Sequence, residues 1–311
     1  MESHPDSLLK LRKGTKENVR KIFNLDKPGR LEEAINILRE WIQKQDHILK
    51  KDWSADYLEK TLIASKGSVE KAKQHLDRLC TMKTLVPKFF EVTNVKDLPT
   101  ILDMAMVMPL PTQTEEYYRV ILVKLDTKEV KPEYFTMYFQ YCFSAVEYIK
   151  AHDYANGFIL IYDCRELNLV DVITKISTVE LQQFITVLIE GYGARLKGIH
   201  IISESKAVEM LLNILKQFLS EKIGNRLHVQ RNIEDLPKVV PKGILPVEYG
   251  GNEKSIKVLQ EEWLEALSSE KHVEYVKMMY EARTDETRRN AGKFNEEYMG
   301  MPGSFRNLSV D

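Results

Sequence analysis

Through residues 1–91, hydrophobic side chains recur every three or four positions, which is the spacing of amphipathic helices. One such stripe consists of Leu31, Ile35 and Leu38 and follows Pro28-Gly29. Ser54 and Ser68 precede two further helical segments, where a serine hydroxyl can cap the first turn. The pattern predicts an all-helical N-terminal module over residues 1–91.

From residue 92 the pattern changes. Residues 92–111 contain three prolines and predict a connecting stretch. Beyond it, short apolar runs alternate with helical stripes, and the runs predict strands at residues 119–125, 157–163, 198–203 and 226–229. Strands that alternate with helices form a mainly parallel sheet through right-handed crossovers. We therefore predict an α/β domain over residues 92–253, and a C-terminal helix with a surface tail over residues 254–311.

Length and composition fit a globular protein that is larger than one core of about 250 residues. Of the 311 residues, 43% are hydrophobic and 29% are charged, and the net charge is −1. This balance does not favour nucleic acid as a partner, and an anionic partner requires a local basic patch. The N-terminus lacks the layout of a signal peptide, and no apolar run reaches about 18 residues. Three widely spaced cysteines predict free thiols, so we expect a cytoplasmic protein.

Sequence motifs for catalysis and cofactor binding are missing. There is no phosphate-binding loop, zinc-ligand spacing or hydrolase nucleophile motif, and Gly191-Tyr192-Gly193 follows a predicted helix rather than a strand. Asp163 ends a predicted strand and is the best catalytic candidate, although a turn or capping carboxylate is the commoner role there. His200 lies between two isoleucines, as a core histidine would. We predict no enzyme, no cofactor and no metal.

Basic residues bracket one amphipathic helix at residues 206–219. Arg195 and Lys197 precede the third predicted strand, and Lys222 and Arg226 follow the helix. The apolar face of the helix consists of Val208, Leu211, Leu212, Leu215 and Phe218. Cations that meet anionic headgroups, at about 1 kcal/mol each, and an apolar face that meets acyl chains would form a membrane-docking site. A helix that simply covers the sheet, with solvated flanking charges, fits the pattern equally well.

Large apolar side chains are also dense on elements that should share one space. They are Met137, Tyr141, Phe158, Tyr162, Phe184, Val187 and Leu188. Ser144, one turn from Tyr141, could orient a polar group of a ligand. Periodicity does not distinguish a hollow space from a packed core, and from the pattern alone an ordinary packed core is the favoured interpretation.

Several segments together resemble a known family. They read GFILIYD at 157–163, RLKGIHII at 195–202, FLSEKI at 218–223, RLH at 226–228 and ILPVEYGG at 244–251. SVEKAK at 68–73 and GSFR at 303–306 add to the match. In this order and spacing the chain resembles the CRAL-TRIO lipid-transfer proteins, especially the branch of cellular retinaldehyde-binding and α-tocopherol transfer proteins.

The resemblance implies a fold and a function. It implies a helical N-terminal module and a sheet whose flanking helices enclose a hydrophobic ligand, with residues 206–219 as a movable lid. Family phosphoinositide-binding positions fall on Arg195, Lys197, Lys222 and Arg226. Family cavity positions fall on the eight residues named above and on Leu196 and Ile199.

The activity implied is binding and transfer of a retinoid, tocopherol, carotenoid or similar ligand, with release at phosphoinositide-containing membranes during transient association. The alternative is a phosphoinositide-sensing adaptor without transfer activity. A third class, an α/β enzyme centred on Asp163, lacks a cofactor motif. Protein partners are not indicated by the sequence.

Three departures from the family pattern concern the lid and its surroundings. Residues 58–65 (LEKTLIAS) stand where the family has an arginine-rich helix, which leaves Lys60 and Lys66 as the basic residues there. Gly193 replaces a proline, and Gln217 replaces the proline of a Lys-Pro-Phe segment. Both replacements predict a looser backbone around the lid.

Overall fold

The structure is a computed structural model and describes residues 8–289. Its N-terminal part is helical, with α1 at Thr15–Ile22, α2 at Arg30–Gln43, α3 at Ala55–Ala64 and α4 at Val69–Leu85. The Ser54 hydroxyl accepts a hydrogen bond from the backbone N–H of Tyr57 at 3.1 Å, and the Ser68 hydroxyl accepts one from Lys71 at 3.3 Å. These bonds satisfy donors that the first turn of a helix otherwise leaves unpaired. The predicted helical module and its two serine caps are confirmed.

A five-stranded sheet follows. Its strands are β1 at Ala105–Pro109, β2 at Tyr118–Thr127, β3 at Gly157–Leu167, β4 at Leu196–Ile202 and β5 at Leu227–Gln230. They lie in sequential order, with β2 to β5 parallel and β1 antiparallel to β2. The predicted mainly parallel sheet after a helical module is confirmed.

The sequence prediction missed β1 and the short helix α5 at Pro99–Met104 that precedes it. Both lie within the stretch predicted as a connection. β1 is only five residues long, and proline occupies its last position. A proline is tolerated at the end of an edge strand because the missing N–H is not needed in the ladder. The strand forms because it pairs with β2, from Ala105 opposite Leu125 to Pro109 opposite Ile121.

The sequential strand order determines where the helices lie. Parallel neighbours joined by right-handed crossovers place all their connections on one face of the sheet. The three connections contain α6 at Pro132–His152, then α7 at Leu169–Lys175, α8 at Thr178–Thr186 and a π-helical turn at Val187–Gly191, then α9 at Val208–Phe218 and α10 at Glu221–Gly224. This arrangement creates a space between one face of the sheet and the crossover helices.

The chain continues with α11 at Ile256–Leu267 and α12 at Glu270–Tyr280. The first of these packs against β1 and α6, and the second packs against α6. The predicted C-terminal helix corresponds to α11, whereas α12 was not predicted. Most of the predicted tail, including GSFR at 303–306, lies outside the described residues.

No single helix within residues 8–289 is long and apolar enough to cross a membrane. The consecutive helical segments Leu169–Lys175 and Thr178–Gly191 satisfy length and composition only when taken together, and they are bent by 94°.

Candidate functional site

A cavity of about 220 Å³ lies between the sheet and the crossover helices, and we term it the lid-side cavity. Ile199 and Ile201 of β4 face it, because alternate side chains of a strand point to the same side. Leu211 and Leu215 of α9 line the opposite wall. The predicted lid helix therefore contributes directly to this cavity.

A second cavity of about 170 Å³ lies where α3 and α6 approach the sheet, and we term it the module-side cavity. Its inner wall is apolar and includes Val107 of β1 and Ile121 of β2. Polar and charged residues also line it, namely Lys60, Lys150, Asp153, Asn156 and Arg195. This cavity therefore combines an apolar wall with several charged groups.

The two cavities share one wall. Seven residues line both of them: Tyr138, Leu160, Tyr162, Phe184, Leu188, Ile189 and Leu196. The Tyr138 hydroxyl is buried without a hydrogen-bond partner in the described part of the chain, although Cys142 and Tyr162 lie near it. Burial raises the pKa of both tyrosine hydroxyls, which keeps them neutral. A neutral, unpaired hydroxyl in an apolar wall can donate to a polar group of a ligand.

The structure places six of the ten predicted cavity residues on these walls: Phe158, Tyr162, Phe184, Leu188, Leu196 and Ile199. Sequence reasoning omitted Leu160, which lies on the same strand face as Phe158 and Tyr162 and could have been found from the two-residue period. It also omitted Tyr138, which lies one helical turn from Cys142 on the face of α6 toward the module-side cavity.

Met137, Tyr141, Ser144 and Val187 line neither cavity. Tyr141 and Ser144 lie on the face of α6 toward the C-terminal helices, since the Tyr141 hydroxyl accepts from Gln260 at 3.1 Å and the Ser144 hydroxyl is 3.4 Å from His272 Nε2. Val187 is fully buried in the π-helical turn, and Met137 packs against the main core. Ser144 is therefore not placed to orient a ligand in either cavity.

The predicted lid residues divide between two environments. Val208 and Leu212 are buried in an apolar cluster with β4, whereas Leu211 and Leu215 line the lid-side cavity. Phe218 is half-buried and does not line that cavity. The outer side of α9 exposes Met210, which is 58% accessible.

Three of the four predicted phosphoinositide-binding residues come together in space, and a fourth basic side chain joins them. Repulsion from Lys222, then burial and repulsion from Arg195 and Arg226, lower the pKa of Lys66, which shows that these charges are close. We term Lys66, Arg195, Lys222 and Arg226 the basic cluster. None of them forms an ion pair with a carboxylate within residues 8–289. Lys197 instead forms an ion pair with the exposed carboxylate of Glu116 at 3.3 Å.

The basic cluster adjoins the cavities through Arg195. This side chain lines the module-side cavity, stacks on the Phe23 ring at 4.3 Å and donates to Asn156 Oδ1 at 3.2 Å. The Arg226 guanidinium donates to the carbonyl of Leu196, a residue of the wall shared by both cavities. Charge at the surface and apolar space inside are therefore contiguous.

Of the two basic residues that remain near α3, only Lys66 belongs to the basic cluster. Lys60 instead forms an ion pair with Asp56 at 2.7 Å and donates to the Ala151 carbonyl at 2.8 Å. Gly193 has φ of 70°, a left-handed conformation that proline cannot adopt because its ring fixes φ near −65°. The missing family proline therefore reflects a different local backbone.

Asp163 is engaged in structural contacts rather than free for catalysis. Its carboxylate is buried and accepts hydrogen bonds from Arg165 at 2.7 and 2.9 Å and from Tyr249 at 2.8 Å. Burial opposes the charged form, but these hydrogen bonds outweigh it and lower the pKa of the carboxyl. Asp163 lines neither cavity.

His200 is also placed as a core residue. Its ring stacks on that of His228 with centroids 5.0 Å apart, and its Nδ1 is 3.2 Å from Gln230 Nε2. Burial, then the neighbouring His228, lower its pKa to about 4. No group of three or more potential metal-ligating side chains occurs between residues 8 and 289.

Fold and site together define an α/β protein with apolar cavities between its sheet and its helices and with a basic cluster beside them. Residues 104–251 match the family described as the CRAL/TRIO domain, and residues 27–100 match the Pinta-like, UBA domain. The chain therefore carries a CRAL/TRIO domain, and the resemblance seen in the sequence is confirmed.

Among individual proteins, this chain is similar to "Alpha-tocopherol transfer protein-like" from Mus musculus and from Homo sapiens. Each is 23% identical to this chain over 228 residues, which is 70% of this chain and 64% of the relative. The match thus spans less than two thirds of the length of these relatives. Clavesin-2 from Rattus norvegicus is 30% identical over 97 residues, which is 31% of this chain and 29% of that protein. The crystal structure of Sfh5 aligns with a TM-score of 0.47 at 12% identity, covering 83% of this chain and 98% of that one.

Proposed function

We propose that this protein binds a small hydrophobic ligand in its two adjoining cavities and transfers it between membranes. The observation that carries the proposal is the shared wall, because two apolar spaces that have seven lining residues in common can act as one ligand site. The CRAL/TRIO domain and the similarity to a protein named for tocopherol transfer support the same function.

Binding would be driven by removal of apolar ligand surface from water, at about 25 cal/mol per Å². The Tyr138 hydroxyl would donate a hydrogen bond to the ligand, since it has no partner among residues 8–289. An apolar ligand with one polar group, such as a retinoid or a tocopherol, fits this combination. A carotenoid would have to place its polar end at the same wall.

Release would occur at an anionic membrane surface during transient association. The unneutralised basic cluster would bind phosphoinositide phosphates, with Lys197 at its edge. Met210 on α9 and Val170 on α7 expose apolar side chains, 58% and 59% accessible, on two helices that contact each other. Their insertion among acyl chains would favour displacement of α9 from the lid-side cavity.

The test is mass spectrometry of an organic extract of the purified protein, followed by reloading with retinoids, tocopherols and carotenoids. We expect at least one hydrophobic compound to be recovered in roughly stoichiometric amount. A protein that stays empty after purification and across the whole panel would contradict the proposal.

A phosphoinositide-sensing adaptor is the second candidate, and the absence of carboxylate partners around the basic cluster within residues 8–289 favours it. In this case the function of the protein is to dock on the membrane, and a bound ligand does not affect the docking. Vesicle binding that is identical for loaded and emptied protein, together with no transfer between vesicles, would favour the adaptor over the carrier.

A further inference from the structure

Lys150 is one of two lysines in the wall of the module-side cavity, and the other is Lys60. Lys150 belongs to the last turn of α6. Its Nζ donates to Thr61 Oγ1 at 3.0 Å and lies 4.8 Å from the centre of the Tyr57 ring. No carboxylate pairs with it within residues 8–289. An unpaired lysine in such a place needs an explanation, because an ammonium group is costly to desolvate.

The hydrogen bonds around Lys150 leave its lone pair available. The Thr61 hydroxyl donates its own proton to the Tyr57 carbonyl at 2.8 Å, so it can only accept from Lys150. A neutral Lys150 would therefore donate to Thr61 and keep its nitrogen lone pair free. Lys60 lines the same cavity, but unlike Lys150 it forms an ion pair with Asp56.

Electrostatics act in the same direction. Desolvation, then repulsion from Lys60, lower the pKa of Lys150 to about 7, against weaker attraction from Glu147 and Asp56. A substantial fraction of Lys150 is then neutral at pH 7, compared with roughly one in three thousand for an exposed lysine with an ordinary pKa. A desolvated lysine of this kind is a nucleophile toward carbonyl groups.

We propose that Lys150 forms a reversible imine with hydrophobic aldehydes bound in the module-side cavity. The nitrogen lone pair attacks the carbonyl carbon, and the C=O π electrons move to oxygen, which takes up a proton from nitrogen. The resulting carbinolamine loses its hydroxyl and the remaining N–H proton as water, which leaves a C=N bond. No oxidant or reductant is consumed. The inference rests on the proposed function, since it requires that the cavity admits a ligand.

The test uses decanal as the aldehyde and decanol as a matched ligand that cannot form an imine. Wild-type protein is incubated with substoichiometric decanal at pH 7, reduced with cyanoborohydride, and digested for peptide mass spectrometry. We expect the reduced adduct at Lys150 to exceed that at any other lysine by at least about tenfold, given its larger neutral fraction. Excess decanol should lower labelling at Lys150 and leave surface lysines unchanged.

Two variants and one binding measurement separate the outcomes. Lys150→Arg keeps a cation and a donor but cannot form an imine, and it should lose the adduct, whereas Lys128→Arg, at an exposed lysine that lines neither cavity, should retain it. Calorimetry should show that wild type and both variants bind decanol. Decanol binding with labelling spread evenly over the lysines would overturn the imine alone. Failure of wild type to bind either probe or to yield any extracted ligand would overturn the proposed function and the imine with it.

Discussion

The Tyr249 hydroxyl donates a hydrogen bond to Asp163 Oδ2 over 2.8 Å and so ties the Glu248–Gly251 segment to β3. The backbone around Tyr249 is shaped for this contact. Gly250 adopts φ of 72°, and a Cβ atom on Gly251 would lie 1.8 Å from the Leu245 carbonyl oxygen. The two glycines are therefore required by the turn that positions Tyr249.

Replacing Tyr249 by phenylalanine should destabilise the protein by about 1–3 kcal/mol, because a buried carboxylate loses one of its donors. The pKa of Asp163 should rise toward its ordinary value, since that hydrogen bond helps to lower it. Tyr57→Phe is the matched control, because its buried hydroxyl has no partner within residues 8–289. Urea denaturation of both variants checks the difference, and equal stabilities would contradict the assigned role of the contact.

A buried ion pair links the helical module to the crossover helices. Lys83 Nζ lies 2.8 Å from Glu147 Oε1, and the two side chains are 1% and 4% exposed. Lys83→Met should lower the free energy of unfolding by roughly 3–5 kcal/mol, because it leaves an uncompensated carboxylate in the interior. Lys83→Met combined with Glu147→Gln should recover part of that loss when unfolding is followed in denaturant. A double variant less stable than Lys83→Met would show that the pair is not the source of the cost.

Two buried histidines should make the stability of the folded protein decrease in mild acid. Burial is the main cause that lowers the pKa of His200 and of His272 to about 4, against an ordinary value of 6.5. The unfolded chain therefore binds more protons between these values, so stability is complete above pH 6.5 and falls as the pH drops toward 4. Each histidine contributes at most about 1.4 kcal/mol per pH unit.

Stability measured from pH 7 to pH 4 should fall less steeply for His200→Gln with His272→Gln than for the wild type. The lowered pKa of Asp163 also makes stability fall near pH 4, but this contribution is the same in both proteins and cancels in the comparison. Parallel pH profiles for the wild type and the double variant would contradict the assignment to these histidines.

Membrane binding should depend on the two lysines of the basic cluster. Arg195 and Arg226 also make internal hydrogen bonds, so Lys66→Ala with Lys222→Ala is the cleaner variant. Each cation contributes about 1 kcal/mol to membrane binding. Removal of both lysines should therefore weaken binding to phosphoinositide-containing vesicles by roughly thirtyfold at low salt. Sedimentation with vesicles measures the effect.

The matched control replaces two exposed lysines that already have carboxylate partners. Lys128 lies 2.7 Å from Glu166, and Lys238 lies 2.6 Å from Asp235. Their replacement by alanine should leave vesicle binding almost unchanged. Equal losses for the two double variants would indicate a general charge effect rather than a docking surface.

Filling the shared wall should block ligand loading. Leu160→Trp adds volume at a position that borders both cavities, at an overpacking cost of about 1–3 kcal/mol. The amount of hydrophobic compound in an organic extract should fall severalfold. Val247→Trp, at a site that is 55% exposed, controls for the added indole. Undiminished loading of a folded Leu160→Trp protein would place the ligand elsewhere.

Local chemistry explains which features could be predicted from the sequence. Ser54 and Ser68 cap helices through donors three residues away, and alternation within β4 separates Ile199 from His200. β1 escaped prediction because its stability comes from pairing with β2 rather than from its own five residues.

Properties that depend on tertiary contacts could not be predicted in the same way. Periodicity tells which side chains share a face but not whether the space before them is filled, so Tyr141 and Ser144 were assigned to a cavity that they do not line. Lys66 joins the basic cluster through the turn between α3 and α4, and Lys150 acquires its low pKa from burial and from Lys60. Neither property has a signature in the neighbouring sequence.

The connection that contains α9 leaves the sheet after β4 and returns at β5, and these two strands are paired from Ile199–Leu227 to Ile202–Gln230. The two ends of this connection are therefore held side by side, irrespective of the position of α9. The entropy of closing this loop has already been lost in forming the strand ladder, so the proposed displacement of α9 requires no strand to separate. The proposed ligand exchange would thereby be a local fluctuation that does not require global unfolding.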